Sequence, residues 1–237
     1  MSEASAIARK RSPGRIYLPT SARLSDDVYS KLKKDILSAS LKSDDRLYET
    51  TVAEAYGGSR TPVREALLRL LEEGLLVRQG RAYIVSRISV SEMIDIYRVR
   101  QNLECLSASI AAESITDAAL GELRAMIEAM RIAAARREGS TFNLLDSEFH
   151  LAIAKSTGNE VLMDILTKLH ERVLLVRNSV ERFLSRLENA NQEHEAIYNA
   201  IRRGQPTIAS AEMNSHIQST IESLRTSGID LVESKQL

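Results

Sequence analysis

The chain of 237 residues carries four histidines, and all of them lie beyond residue 149. Asp146 and His150 stand four apart in "DSEFHLAIAK", a spacing that puts both side chains on one helix face about one turn apart. His194, in "EHEAIYNAIRRG", and His216 lie on two further helical segments separated by the break Gly204-Gln205-Pro206. Each segment could aim its histidine into a common centre. One carboxylate and three imidazoles form a nitrogen and oxygen donor set suited to Zn, Ni, Mn or Fe, with positions left for exogenous oxygen ligands. From spacing alone, a core or surface role fits each histidine equally well. Catalysis at such a metal needs a general base. Glu148 is the nearby carboxylate, and two residues after Asp146 it belongs to a different helix face.

A second set of residues offers different chemistry. "GGSRTPVREALLRLLEEGLL", residues 57–76, places Ser59, Arg60, Thr61 and Arg64 at the start of a helix whose leucines Leu67, Leu70 and Leu71 anchor it. A helix N-terminus presents free N–H groups and a positive dipole end to phosphates. An arginine there can also grip guanine O6 and N7 with two hydrogen bonds in the major groove. Taken alone, Ser-Arg is an ordinary solvated helix start. Arg78, Gly80 and Arg81 surround the tip of a following hairpin, where they could meet the minor groove or the backbone.

These residues need elements to hold them. "SDDVYSKLKKDIL" predicts a first helix with Ser25 as N-cap and Val28, Leu32 and Ile36 on its buried face. "LKSDDRL" is a polar break. "TTVAEAY" predicts a short helix with Thr51 and Glu54 at capping-box spacing, stopped by Gly57-Gly58. Thr61 is then expected as the N-cap of the third helix, with Pro62 at its first position and Gly74 at its end. "LLVRQGRAYIVS" reads as two short strands around Gln79-Gly80-Arg81. This is a winged helix-turn-helix in outline. From about Ser89 the periodicity predicts helices at roughly 90–113, 116–137, 141–156, 159–181, 185–203 and 206–226, which short loops would pack as an antiparallel bundle. The expected organisation is a tail over 1–22, a DNA-binding domain over 23–88, a helical domain over 89–228 and a tail over 229–237.

Composition bounds the function. Hydrophobic residues make up 43% and charged residues 27% of the chain, as in a globular protein. No apolar run reaches the roughly 18 residues that cross a bilayer, and the first twenty residues lack the apolar stretch of a signal peptide. The single cysteine, Cys105, reads as a small buried hydrophobe and fits a reducing, cytoplasmic compartment. Net charge is zero, but residues 1–88 hold 16 Lys and Arg against 11 Asp and Glu. A basic first third joined to an acidic remainder suggests that only the first part meets a polyanion.

"SRTPVREALLRLLEEGLL" is similar to the signature of the GntR family of bacterial transcription regulators. The second half resembles the all-helical effector domain (FCD) of that family's FadR-type branch, through "YRVRQNLE" (Arg100, Glu104), "DSEFHLAIAKSTGN" (Asp146, Phe149, His150, Asn159), "EHEAIYNAIRRG" (His194) and "HI" (His216). Thr50 stands where some members carry a DNA-contacting arginine, Gly58 replaces an apolar residue of the turn, and the wing is short. The resemblance implies a divalent metal on Asp146, His150, His194 and His216, and small organic or sugar acids as effectors. His170 has no matching position and reads as a surface or supporting residue. Arg100 and Arg172 are the candidate cations for an effector carboxylate, unless they pair with Glu104 and Glu171. The expected protein is a ligand-responsive repressor, a homodimer on a two-fold operator in double-stranded DNA. The alternatives are a metalloenzyme with a nucleic-acid-binding module and a sensor of the metal itself.

Overall fold

The computed structural model describes residues 20–177 and 186–226. Most of the expected tails and the break at "ERFLS" lie outside the described residues. Residues 20–22, expected in the first tail, already belong to α1 (Thr20–Leu37). Ser25 therefore sits inside that helix, buried, and is not its N-cap. Val28, Leu32 and Ile36 form the buried face of α1, four residues apart as a helix stripe requires.

β1 (Arg46–Leu47), α2 (Glu49–Tyr56) and α3 (Arg60–Glu72) follow. The capping of both helices is shifted from the sequence expectation. Tyr48 is the N-cap of α2, and Thr51 Oγ1 reaches back to accept its N–H at 3.3 Å. Thr51 is thus the third residue of the helix, because β1 delivers the chain in extended form up to Tyr48. Ser59, in extended geometry, is the N-cap of α3, which leaves Thr61 and Pro62 as its second and third residues. Pro62 is still tolerated there, since the first four N–H groups of a helix have no partner inside it. Between α2 and α3 the backbone passes through φ +80° at Gly57 and φ +121° at Gly58. A side chain at Gly58 would also press on Leu24, whose Cδ2 lies 3.2 Å from a Cβ placed there. Glycine meets both demands.

Past α3, Leu75 N–H closes back on the Leu70 carbonyl at 3.0 Å, and β2 (Leu76–Gln79) and β3 (Ala82–Val85) form the wing. The sheet order is β1-β3-β2, antiparallel throughout, with Leu47 opposite Tyr83 and Gln79 opposite Ala82. β1 lies in the stretch that reads as a polar break. A two-residue strand is too short to show alternation, and only its partner reveals it.

The rest is helical: α4 (Val90–Ser114), α5 (Asp117–Ala135), α6 (Gly139–Ser156), α7 (Glu160–Arg177), α8 (Leu187–Arg202) and α9 (Pro206–Thr226). Ser89 and Thr116 cap α4 and α5 by accepting from Glu92 and Ala119 N–H. α4 is the central rod, packed by α6, α7, α8 and α9, while α5 covers α6 and α8. Phe142, Phe149, Ile153, Ile197, Met213 and Ile217 are completely buried between them. Cys105 is only half-buried, because the α4 face that carries it lies at the edge of α9.

The two parts meet through α1 and α7. Lys33 Nζ lies 3.0 Å from Glu73, just past the end of α3, and 2.8 Å from Glu171 of α7. Tyr29 donates to Glu73 at 2.6 Å. The next residue of α7, Arg172, pairs with Glu92 in the first turn of α4.

Candidate functional site

Three helices of the bundle aim four polar side chains inward. α6 contributes Asp146 and His150 from one face, α8 contributes His194 and α9 contributes His216, and all four are buried. One ligand atom from each lies within 4.8 Å of the others. His150 and His194 face each other Nε2 to Nε2 at 3.3 Å, and His194 Nε2 is 3.4 Å from Asp146 Oδ1. Glu148, by contrast, is exposed on the outer side of α6, as its offset of two residues requires.

A further set of groups fixes how these donors point. His150 Nδ1 is held 2.6 Å from Glu104 Oε2, and His216 Nδ1 is 2.7 Å from Glu193 Oε2. A carboxylate at Nδ1 keeps the proton there and turns the Nε2 lone pair inward, the arrangement that orients histidines around metals. Glu193 is itself held by Arg186 at 2.8 Å and by the Ser219 hydroxyl at 3.0 Å. Asp146 Oδ2 accepts from Arg177 Nη1 at 2.6 Å, which leaves Oδ1 facing the histidines. Glu104 Oε1 accepts from Arg100 Nε at 2.6 Å and lies 3.1 Å from His170 Nε2.

Electrostatics keep the donors in the forms a cation needs. Burial raises the Asp146 carboxyl, but Arg177 and the contact with His194 outweigh it and hold it well below the usual range. Glu104 behaves alike: burial opposes ionisation, and Arg100, His150 and His170 overcome it. Burial also lowers His194, His170 to about 4 with Arg100 adding to the effect, and His216 to about 3 with His194 adding to it. At neutral pH His194 and His216 are therefore neutral imidazoles beside the ionised Asp146.

Three electron-pair donors thus crowd together, with His194 Nε2 lying 3.3 Å from His150 Nε2 and 3.4 Å from Asp146 Oδ1. Only a proton or a cation between them relieves that crowding. The residues fit a divalent metal with nitrogen and oxygen ligands.

The candidate cations divide. Arg100 is buried beside the centre, with Nε on Glu104 and Nη1 buried without a partner among the described residues. Arg172 stands at the junction of the two parts, paired with Glu92 and not with Glu171, and its side chain is partly exposed. The sequence reading missed Arg177, which is the second buried cation at the centre, as well as the positioning carboxylate Glu193. His170 belongs to the layer behind the ligands, not to the surface. Glu193 directly precedes His194, which could have drawn notice. Arg177 gives no such signal, because only the packing of α7 on α6 brings it to Asp146.

The other candidates lie at the surface of the N-terminal part. Thr50 on α2, Ser59, Arg60, Thr61 and Arg64 around the start of α3, and Arg78, Gly80 and Arg81 at the wing tip are all exposed. Arg64 does not stand free. Its Nε and Nη2 donate to the two oxygens of Glu49, on α2, at 2.7 and 3.0 Å. Arg78 bends back to the Gly80 carbonyl at 3.3 Å.

Comparison with known proteins agrees with this division. Residues 24–92 match the profile "Bacterial regulatory proteins, gntR family", and residues 95–219 match that of the FCD domain. The HTH-type transcriptional repressor RspR of Escherichia coli (strain K12) is 29% identical over 203 residues, covering 85% of this chain and 89% of that protein. The HTH-type transcriptional regulator McbR of the same organism is 31% identical over 147 residues, 62% of this chain and 66% of the relative. The solved structure of E. coli McbR/YncC superposes with a TM-score of 0.76 at 25% identity, covering 86% of this chain and 98% of the other. A GntR regulator from Rhodococcus sp. RHA1 has the same fold, with a TM-score of 0.75 at 18% identity over 85% and 97%.

Proposed function

This chain belongs to the GntR family of bacterial transcription regulators that carry an FCD domain, and on that premise we propose a metal-containing repressor released or tightened by a small organic or sugar acid. Asp146, His150, His194 and His216 hold one divalent ion, with Zn, Ni and Mn as the candidates. The observation that carries this reading is the buried approach of His194 Nε2 to His150 Nε2 at 3.3 Å and to Asp146 Oδ1 at 3.4 Å. The ion supplies positive charge with coordination positions for an oxygen ligand.

The acid is supported by a separate feature. Arg100 presents a buried Nη1 that no described group satisfies, and such a group costs about 1–3 kcal/mol until an acceptor arrives. A carboxylate spanning the ion and Arg100 meets both. In this reading Arg60, Thr61 and Arg64 meet base edges, with Thr50, Ser59 and the wing residues Arg78, Gly80 and Arg81 against the backbone or minor groove; the match of residues 24–92 to the GntR profile supports it. A homodimer in the cytoplasm then reads a two-fold operator. Relatives and family profiles alike are regulators, which leaves the metalloenzyme alternative without support, and Glu148 points away from the centre.

Native mass spectrometry of the purified protein, with citrate, lactate and gluconate added in turn, tests the reading. Expected are one ion per chain, a dimer, and a mass increment for an acid that disappears in Arg100→Ala. A wild-type protein that stays metal-free after incubation with Zn, Ni and Mn overturns the metal centre. An acid increment that is unchanged in Arg100→Ala overturns the role given to Arg100.

A further inference from the structure

Arg64 reaches DNA, on the reading above, from a side chain that is 61% exposed and already bound on one edge. A guanidinium has two forks of donors: the side fork Nε–Nη2 and the end fork Nη1–Nη2. Glu49 occupies the side fork with both oxygens, at 2.7 and 3.0 Å. The end fork has no further partner among the described residues, on a side chain exposed to solvent.

Glu49 is itself well placed to act as a clamp. It is the first residue of α2, so the positive end of that helix favours its charge. Its side chain is only 20% exposed. Its carboxyl is held below the usual range by the hydrogen bond from Arg64, against a smaller burial effect, with Arg60 and Arg78 adding to the lowering. Three of the arginines assigned to DNA therefore surround one carboxylate, and only Arg64 is bound by it in bidentate fashion.

We infer that Glu49 is a positioning residue for base reading: it locks the Arg64 guanidinium so that its end fork, and not a freely rotating side chain, meets guanine O6 and N7. A free arginine can swing from a base to a neighbouring phosphate with little loss of affinity. A clamped one cannot, so the clamp adds discrimination more than affinity. This rests on the assignment of Arg64 to the major groove.

The test uses the full-length protein and a duplex enriched by it from a random 30-base-pair pool, together with every single-base-pair change of that duplex. Arg64→Ala identifies the base pair that Arg64 reads, as the position where discrimination falls by roughly 5- to 150-fold. Glu49→Ala is expected to lose about ten-fold discrimination at that same base pair, while binding unrelated DNA as tightly as before or tighter. Glu49→Asp keeps the charge at the start of α2 but falls one methylene short, so it should fold as the parent does and still lose discrimination. Adding Glu49→Ala to Arg64→Ala should change discrimination no further. Full discrimination in Glu49→Asp and Glu49→Ala, with Arg64→Ala losing it, overturns the clamp. Tighter operator binding at unchanged discrimination also overturns it, and makes Glu49 a mere competitor for Arg64. If Arg64→Ala itself loses discrimination nowhere, the groove assignment fails and the clamp falls with it.

Discussion

His150 and His194 meet Nε2 to Nε2 at 3.3 Å, although they come from different helices and 44 residues apart in sequence. Two neutral imidazoles can share one proton at that distance, or each can give its lone pair to one cation. A bound ion therefore ties α6, α8 and α9 together. Removing it with a chelator should lower the melting temperature, and an ion at about 100 times its dissociation constant should stabilise the fold by about 2.7 kcal/mol. Elemental analysis should find no metal in the H194A/H216A double variant. Glu193→Gln, which only orients His216, should retain metal with an affinity weaker by about 10- to 100-fold. Stoichiometric metal in the double variant would remove the shared centre.

Acid should destabilise the metal-free protein earlier than carboxylate protonation alone predicts. His170 and His216 are lowered to about 4 and about 3 in the folded chain by burial, against about 6.5 when unfolded. The unfolded state thus binds more protons below pH 6.5, so stability falls as pH falls through that window. Each histidine contributes a slope of at most about 1.4 kcal/mol per pH unit. Urea unfolding in chelator at pH 7.0 and 5.5 measures this. His170→Gln should flatten the dependence, and an unchanged slope in that variant would place the loss elsewhere.

DNA affinity should depend on Arg60 and Arg64 but not on the bundle's arginines. Arg64→Ala or Arg60→Ala is expected to cost about 1–3 kcal/mol on the enriched duplex if each makes a base contact. Electrophoretic shifts report it directly. Wild-type affinity in both variants would remove α3 as the recognition helix.

A single winged domain covers few base pairs, so the active species should be a dimer on a site with two-fold symmetry. Sedimentation at micromolar concentration should give twice the mass of the chain, and hydroxyl-radical footprints should show a dyad. A monomer, or a footprint without symmetry, speaks against it.

The fold was largely legible because its signals are periodic. Val28, Leu32 and Ile36 announced α1, and the six later helices began and ended within a few residues of their expected positions wherever they are described. Helix starts were less legible. Ser25 and Thr61 are good capping residues, but α1 begins earlier and Ser59 takes the cap of α3, since the path of the preceding chain decides the start. For the centre, the i, i+4 spacing and the scarcity of histidine pointed to the four residues brought together in the bundle. Glu104 and Arg177 could not be read the same way. A charged residue in an amphipathic sequence looks solvated until tertiary packing buries it, and Arg177 reaches Asp146 across 31 residues.

Three consecutive residues of α7 belong to three different neighbourhoods. His170 lies on Glu104 behind the histidine centre, Glu171 lies on Lys33 of α1, and Arg172 lies on Glu92 at the root of α4. Lys33 in turn holds Glu73, just past the last turn of α3. Between the chamber and the end of α3 the described residues thus offer a path of side-chain contacts carried by α7 and α1. A helix is stiff, and a roll of α7 that moves His170 moves Glu171 and Arg172 by the same angle. The histidine chamber and α3 are thus mechanical neighbours through α7 and Lys33, despite their separation in sequence.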